Sequence, residues 1–228
     1  MTYIRPLPSY LVQRFHGWRA TTYQDNRAWY RRLAESGQHP RAMVISCCDS
    51  RVHVTSIFGA DEGEFFIHRN VANLVPPYET TGRYHGTSAA LEFAVCNLNV
   101  SNIIVLGHSR CGGIRALLEG YGRNEEGEGF IAPWVQIAAP ARDEVLRRWP
   151  DASSEFKQRA CERAGIRTSL MNLMTFPFIR QRVEDGRVKL YGWYYDLENG
   201  ELMQYDPDKD RFYDMYFGPM PADIPPES

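Results

Sequence analysis

The sequence predicts a single α/β domain built on a mostly parallel β-sheet. Three short apolar runs, Ala42 to Ser46, Glu64 to His68 and Asn102 to Leu106, are too short for helices and read as buried strands. The second and third are separated by a segment with helical spacing, Gly86 to Leu98, and a connection that long joins parallel neighbours. The chain has 228 residues, 43% of them hydrophobic, with no internal repeat and no linker, which is enough for one sizeable core.

Residues 8–35 place Leu11, Phe15, Trp18, Trp29 and Leu33 among polar neighbours, the pattern of one or two amphipathic helices ahead of the core. Such an arm packs on a partner subunit or caps its own domain, and the pattern favours neither. Pro40 bounds the first strand and Gly107 ends the third. Between them, Thr87 or Ser88 is expected to cap a helix with Leu91, Val95 and Leu98 on one face. A short helix from Ile114 to Glu119 runs into the polar, glycine-rich stretch Gly120 to Gly129, whose charges are expected to face water. Pro133 to Arg148 and Glu155 to Arg182 read as helices, the latter interrupted at Pro177. Val188 to Tyr195 and Glu201 to Tyr205, on either side of Asn199-Gly200, read as a hairpin. The stretch from Gly218 holds four prolines and is expected to be mobile.

Charge and composition exclude several functions. With 26 Lys+Arg against 28 Asp+Glu there is no basic field for a phosphate backbone, so nucleic acid is not an expected partner. No apolar run approaches the roughly 18–20 residues of a membrane span, and the first residues lack an apolar signal core, so a soluble, cytoplasmic protein is expected. Five cysteines, an odd number at low density, read as reduced thiols or metal ligands rather than a disulfide framework.

Two predicted strands run directly into possible ligands. The first ends in Cys47-Cys48-Asp49-Ser50-Arg51 and the third in Gly107-His108-Ser109-Arg110-Cys111-Gly112-Gly113. Ligands collect beyond the carboxyl ends of parallel strands, so both clusters fall on one edge if these strands are neighbours. One cysteine of the first cluster with His108 and Cys111 supplies two thiolates and an imidazole, a set that suits Zn²⁺ over Mg²⁺ or Ca²⁺. Three ligands leave a fourth position open, as in catalytic zinc; a structural site would need Cys48 or Asp49 as well. Side chains alternate in an extended segment, so Cys47 and Asp49 point one way and Cys48 the other. Cys47 is therefore the expected ligand and Cys48 a small buried hydrophobe, and Cys96 and Cys161 are expected only to pack. Cys111 precedes a helix start that favours a thiolate, and Gly112 and Gly113 allow close backbone approach to whatever the metal carries. No Lys-Ser/Thr follows, and the glycine order is not that of a dinucleotide site, so a nucleotide function is not indicated. His39, His53 and His85 are candidate proton shuttles but read first as loop or surface histidines without a role, and Arg110 as solvated.

Cys47-x-Asp49-Ser50-Arg51 with His108-x-x-Cys111-Gly112-Gly113 resembles the β-class carbonic anhydrases. His68-Arg69-Asn70-Val71-Ala72-Asn73 and the segments Gly86 to Val95 and Gly192 to Asp196 extend the likeness across the core, and the plant-like branch is the most similar. The resemblance implies a Rossmann-like sheet of four parallel strands plus an antiparallel edge strand, flanked by helices. It divides the single domain into an N-terminal helical arm (1–36), a zinc-binding core (37–205) and an acidic, Pro-rich tail (206–228).

The same resemblance implies one Zn²⁺ per chain on Cys47, His108 and Cys111, with Asp49 and Arg51 as a catalytic dyad beside the open position. It implies a substrate pocket of Gln38, Phe66, Val71, Phe93 and Gly112, with Phe93 where the plant-like pattern has tyrosine. The implied activity is reversible hydration of CO₂ to bicarbonate by a zinc-bound hydroxide, in a homodimer or homotetramer. Some family members close the site with a bicarbonate-binding Trp, Arg and Tyr; here Arg69 and Tyr195 match, but Val44 replaces the tryptophan, so an open site is expected. The alternatives are the same site acting on carbon disulfide or carbonyl sulfide, and a non-catalytic zinc or redox module, which would have no need of the dyad.

Overall fold

The computed structural model describes residues 3–82, 84–120, 129–215 and 218–219, and the chain forms two compact units that meet at His39 and Pro40. The N-terminal unit has three helical segments where one or two were expected: α1 (Ser9–Ala20), α2 (Thr22–Asp25) and α3 (Arg27–Ser36), none with a buried residue. Aromatic rings hold it together, with Trp18 5.6 Å from Tyr23 and 5.8 Å from Tyr30.

The second unit follows the predicted alternation. Its elements are β1 (Ala42–Cys47), α4 (Val54–Phe58), β2 (Phe65–Asn70), α5 (Gly86–Glu92), β3 (Asn102–His108), α6 (Gly112–Leu118), α7 (Ile131–Val135) and α8 (Ala139–Arg148). After these come α9 (Ser154–Leu173), α10 (Pro177–Glu184), β4 (Lys189–Tyr195), β5 (Leu202–Asp206), β6 (Arg211–Asp214) and β7 (Gly218–Pro219). The sheet order is β2-β1-β3-β4-β5-β6-β7. The first four strands are parallel, as expected, and the rest antiparallel. The antiparallel side is longer than one edge strand: β6 pairs along β5, so residues 211–214 belong to the sheet rather than to a tail. Residues 121–128 and 220–228, which include most of the glycine-rich loop and of the segment expected to be mobile, lie outside the described residues.

All six residues of β1 are buried, because both faces of the parallel sheet are covered. Met43, Ile45, Ile103 and Val105 pack with α9 and α10 through Ile166, Leu173 and Ile179, while Val44, Ile104 and Leu106 pack against Val52 and Val54 on the other face. Among the described residues no helix is long and apolar enough to cross a membrane.

Three local readings change. Thr87 is not a cap: His85 holds the cap position of α5, and the buried Thr87 hydroxyl is hydrogen-bonded to His68 Nε2 at 3.0 Å. The helix after Glu92 widens into a π-helical turn, Phe93–Asn97, which shifts the facing of its residues and leaves Cys96 exposed instead of packed. Gly107 does not end β3 but lies within it, where a Cβ would stand 2.6 Å from Ile166 Cδ1. Gly192 on β4 meets the same side chain, with a Cβ position 2.9 Å from Ile166 Cγ2. These two glycines let α9 lie close on β3 and β4. Gly107→Ala is expected to cost about 1–3 kcal/mol through overpacking, read as a lower urea midpoint with an unchanged slope.

Candidate metal centre

The register brings the two clusters together. Ser46 pairs with Leu106 across β1 and β3, so Cys47 ends beside Gly107 and His108 on the carboxyl edge of the sheet. The chain turns from His108 through Arg110, which has a left-handed φ of 57°, into Cys111, the residue capping α6. The Cys47 and Cys111 sulfurs and a His108 ring nitrogen lie within 4.8 Å of one another, and all three residues are buried. His108 Nδ1 faces the Ser109 carbonyl at 2.9 Å, while Nε2 is buried without a hydrogen-bond partner among the described residues. An imidazole that donates through Nδ1 presents the Nε2 lone pair to the two sulfurs.

An orphaned ring nitrogen facing two buried thiols is costly unless a cation takes all three lone pairs, and two sulfurs with an imidazole match zinc. The residues therefore fit that metal. Electrostatics of the bare cluster agree. The adjacent Cys111 thiol, with help from His108, lowers the Cys47 thiol pKa against the opposing effect of burial. Cys111 is pushed above the ordinary thiol value, because it holds its proton beside the Cys47 thiolate and is itself buried.

Asp49 stands at the edge of this cluster, Oδ2 4.0 Å from His108 Nε2. Arg51 forks onto it, Nε donating to Oδ1 at 2.9 Å and Nη2 to Oδ2 at 2.7 Å, and the Arg51 backbone N–H also reaches Oδ1. These bonds hold the Asp49 carboxyl well below the usual carboxylate range. Arg51 is half exposed, but Nη2 also donates to the Arg110 carbonyl at 3.1 Å, tying the first cluster to the second. Arg69 spends its donors on the turn itself, bonding the carbonyls of Cys47, Asp49 and Val52 at 2.7–2.9 Å. Val44 is buried in the sheet, and Tyr195 pairs with His108 on β4.

Of the residues expected to line a pocket, Gly112 opens α6 directly after Cys111. Val71 packs on the same helix start, its Cγ1 2.8 Å from a Cβ position on Gly113, and its carbonyl accepts from Trp134 Nε1 at 2.7 Å. Phe66 and Phe93 pair with each other at 5.8 Å. Phe66 is opposite Met43, four residues before Cys47. That is about 13 Å along the strand. Gln38 is exposed and belongs to the N-terminal unit.

Cys48 is exposed rather than buried, because the strand ends at Cys47 and the next side chain leaves the sheet at its open edge. Cys161 packs as expected, and burial pushes its thiol up to about 12. His39 and His53 are exposed, whereas His85 is half-buried. Arg110 is not simply solvated: its Nη2 reaches Glu198 Oε2 at 3.0 Å. A cavity of about 460 Å³ lies along Ser109, Gln158 and Glu162 rather than over the three donors.

Sequence reasoning missed Glu162. It is buried on α9, where its carboxylate accepts from the Cys111 N–H at 2.8 Å, from Gln158 Nε2 at 2.9 Å and from the Tyr194 hydroxyl at 2.8 Å. Burial raises its pKa and the three donors oppose that rise. The one signal available was a carboxylate spaced four residues from Ile166 on the helix face that turns inward.

A parallel α/β sheet that gathers two thiols and an imidazole beyond its strand ends defines a protein with a soft-metal centre at the sheet edge. Known proteins narrow that class to one family, and the chain belongs to it: the β-carbonic anhydrases. The family model described as carbonic anhydrase matches residues 42–202. The chain is 39% identical to beta carbonic anhydrase 3 of Arabidopsis thaliana over 85% of its own length and 75% of that protein. Its fold matches the solved structure of the β-carbonic anhydrase CcaA with a TM-score of 0.84, at 31% identity over 93% of this chain and 92% of that one. A tetrameric β-carbonic anhydrase of the filamentous ascomycete Sordaria macrospora matches with a TM-score of 0.75 and 27% identity over 86% of this chain and 95% of that one.

Proposed function

We propose that this chain catalyses the reversible hydration of CO₂ to bicarbonate and a proton at a zinc centre held by Cys47, His108 and Cys111. The observation that carries the reading is the buried Cys-His-Cys cluster with the clamped Asp49 carboxylate at its edge. Zinc supplies a Lewis acid that lowers the pKa of bound water to about 7, as is known for the three-histidine carbonic anhydrases. The remaining work falls to this chain's residues. Two thiolates offset the formal charge of the metal, which makes neighbouring hydrogen bonds matter more here than beside three neutral imidazoles. The Asp49 carboxylate accepts a proton-bearing group at the open position, and Arg51 fixes its direction with two parallel donors. Ser109 keeps His108 in the tautomer that offers Nε2.

The site is proposed to be of the open type. Arg51 occupies both Asp49 oxygens, Arg69 is committed to three carbonyls, and Val44 offers no donor for a bicarbonate lock. A homodimer or homotetramer is proposed as well, supported by the exposed Ile67 and Phe93 and by Trp18 and Trp29 on the arm. The test is metal analysis together with stopped-flow CO₂ hydration on the purified chain. Zinc at one per chain with hydration rising with pH is expected; zinc with no hydration between about pH 6 and 9 overturns the enzyme reading.

A further inference from the structure

We infer that Glu162 is a positioning residue for the metal centre: from α9 it fixes the backbone of Cys111, and so presets one thiol of the cradle before any metal arrives. The inference rests on the zinc reading above and adds to it a residue outside the ligand and dyad set.

The geometry is specific. Glu162 Oε1 receives the Cys111 N–H at 2.8 Å and Gln158 Nε2 at 2.9 Å, and Gln158 Nε2 also lies 3.4 Å from the Cys111 carbonyl. Both backbone polar groups of Cys111 are thus engaged from α9, while its carbonyl also accepts the first bond of α6 from Arg115 N–H at 3.0 Å. The other carboxylate oxygen, Oε2, is anchored by the Tyr194 hydroxyl at 2.8 Å. Glu162 is 3% exposed and Tyr194 is fully buried, so neither bond competes with solvent.

Two further observations say why such an anchor is needed. Arg110, just before Cys111, is held in the left-handed region at φ 57°, a conformation costing a non-glycine residue about 1–2 kcal/mol. A strained turn persists only where its surroundings over-determine it, and the Cys111 N–H bond is one such constraint. Gln158, Glu162 and Ile166 are spaced four apart on one face of α9, and Ile166 rests on Gly107 and Gly192. The close approach permitted by those glycines puts the carboxylate within reach of β4 and of the α6 start together. A buried carboxylate is expensive unless its lone pairs are filled, and here three donors from three elements fill them.

The test compares wild type, Glu162→Ala, Glu162→Gln and Tyr194→Phe. The zinc dissociation constant is read by chelator competition, and the visible spectrum of the cobalt(II)-substituted protein reports thiolate geometry. Circular dichroism and the melting temperature of the metal-free protein control for folding. Glu162→Ala is expected to weaken zinc about 10–100-fold and to shift the cobalt spectrum, while Glu162→Gln, which keeps an acceptor for the Cys111 N–H, recovers most of that loss. Tyr194→Phe removes one anchor and weakens zinc by about 2–10-fold. A folded Glu162→Ala protein with wild-type zinc affinity and an unchanged cobalt spectrum overturns the inference, whatever its melting temperature. If Glu162→Ala does not fold, wild-type zinc affinity and an unchanged cobalt spectrum in Tyr194→Phe overturn it instead. A wild type that takes up no zinc overturns the metal reading itself, and this inference with it.

Discussion

Cys47→Ser is expected to remove zinc from the protein and to abolish CO₂ hydration while leaving the fold in place. The residue sits at the last position of β1, 5% exposed, with its sulfur accepting from the Asp49 N–H at 3.4 Å. Serine is smaller by little and keeps that acceptor, so the sheet edge loses little packing. The loss falls on the donor set. A serine hydroxyl does not ionise near neutral pH, so the cluster is left with one thiolate and one imidazole, too few soft donors for a stable tetrahedral site. Metal catalysis contributes several kcal/mol, and at about 1.4 kcal/mol per decade the expected fall in kcat/KM is about 10³-fold or more. Metal analysis, stopped-flow rates and circular dichroism check it together. A serine variant that retains one zinc per chain and full activity removes Cys47 from the ligand set.

Arg51→Ala is expected to leave zinc bound and to reduce hydration about 10–100-fold, the usual effect of losing a group that orients the metal's neighbours. Without Arg51, two side-chain bonds to Asp49 disappear and only the backbone N–H of residue 51 remains on Oδ1. Asp49 Oδ2 already lies 4.0 Å from His108 Nε2, so a freed carboxylate is close enough to join the donors and fill the open position. Arg51→Lys restores charge without the parallel fork and is expected to recover only part of the rate. The variant also has a pH signature. Because Arg51 lowers the folded-state pKa of Asp49, the pair stabilises the fold above the ordinary carboxylate range, and that contribution is lost as the pH falls below it. Removing Arg51 should therefore lower stability at neutral pH and leave it nearly unchanged in strong acid. Full activity with an open metal site in Arg51→Ala would falsify the role given to the dyad.

The parallel core was legible because its evidence is local. Unbroken apolar runs such as Ala42 to Ser46 mark strands covered on both faces, and the distance between runs forces parallel crossovers. The Cys47 and Cys111 ligand readings came from the same source: strand alternation and a helix start, both short-range. Readings failed where long-range packing decides. Cys48 follows the alternation rule but lies past the strand end, and Cys96 sits in a π-turn that no periodicity announces. Gly107 looks like a strand terminator in sequence and proves to be the contact point for Ile166. Residues 211–214 carry too few apolar positions to advertise a strand, yet β5 supplies the pairing.

By itself, then, the sequence determined which side chains can hold a soft metal and the kind of sheet that carries them, since residue type and strand spacing are properties of the chain alone. Tertiary structure decided everything that depends on distance across elements. It turned His108 Nε2 onto two sulfurs, locked Arg51 to the Arg110 carbonyl, and delivered the Glu162 carboxylate from α9 to the Cys111 N–H. The physical reason is the same in each case. These contacts join residues far apart in the chain, so their geometry is set by the β1–β3 register and, for Glu162, by the seating of α9 on the glycines of β3 and β4.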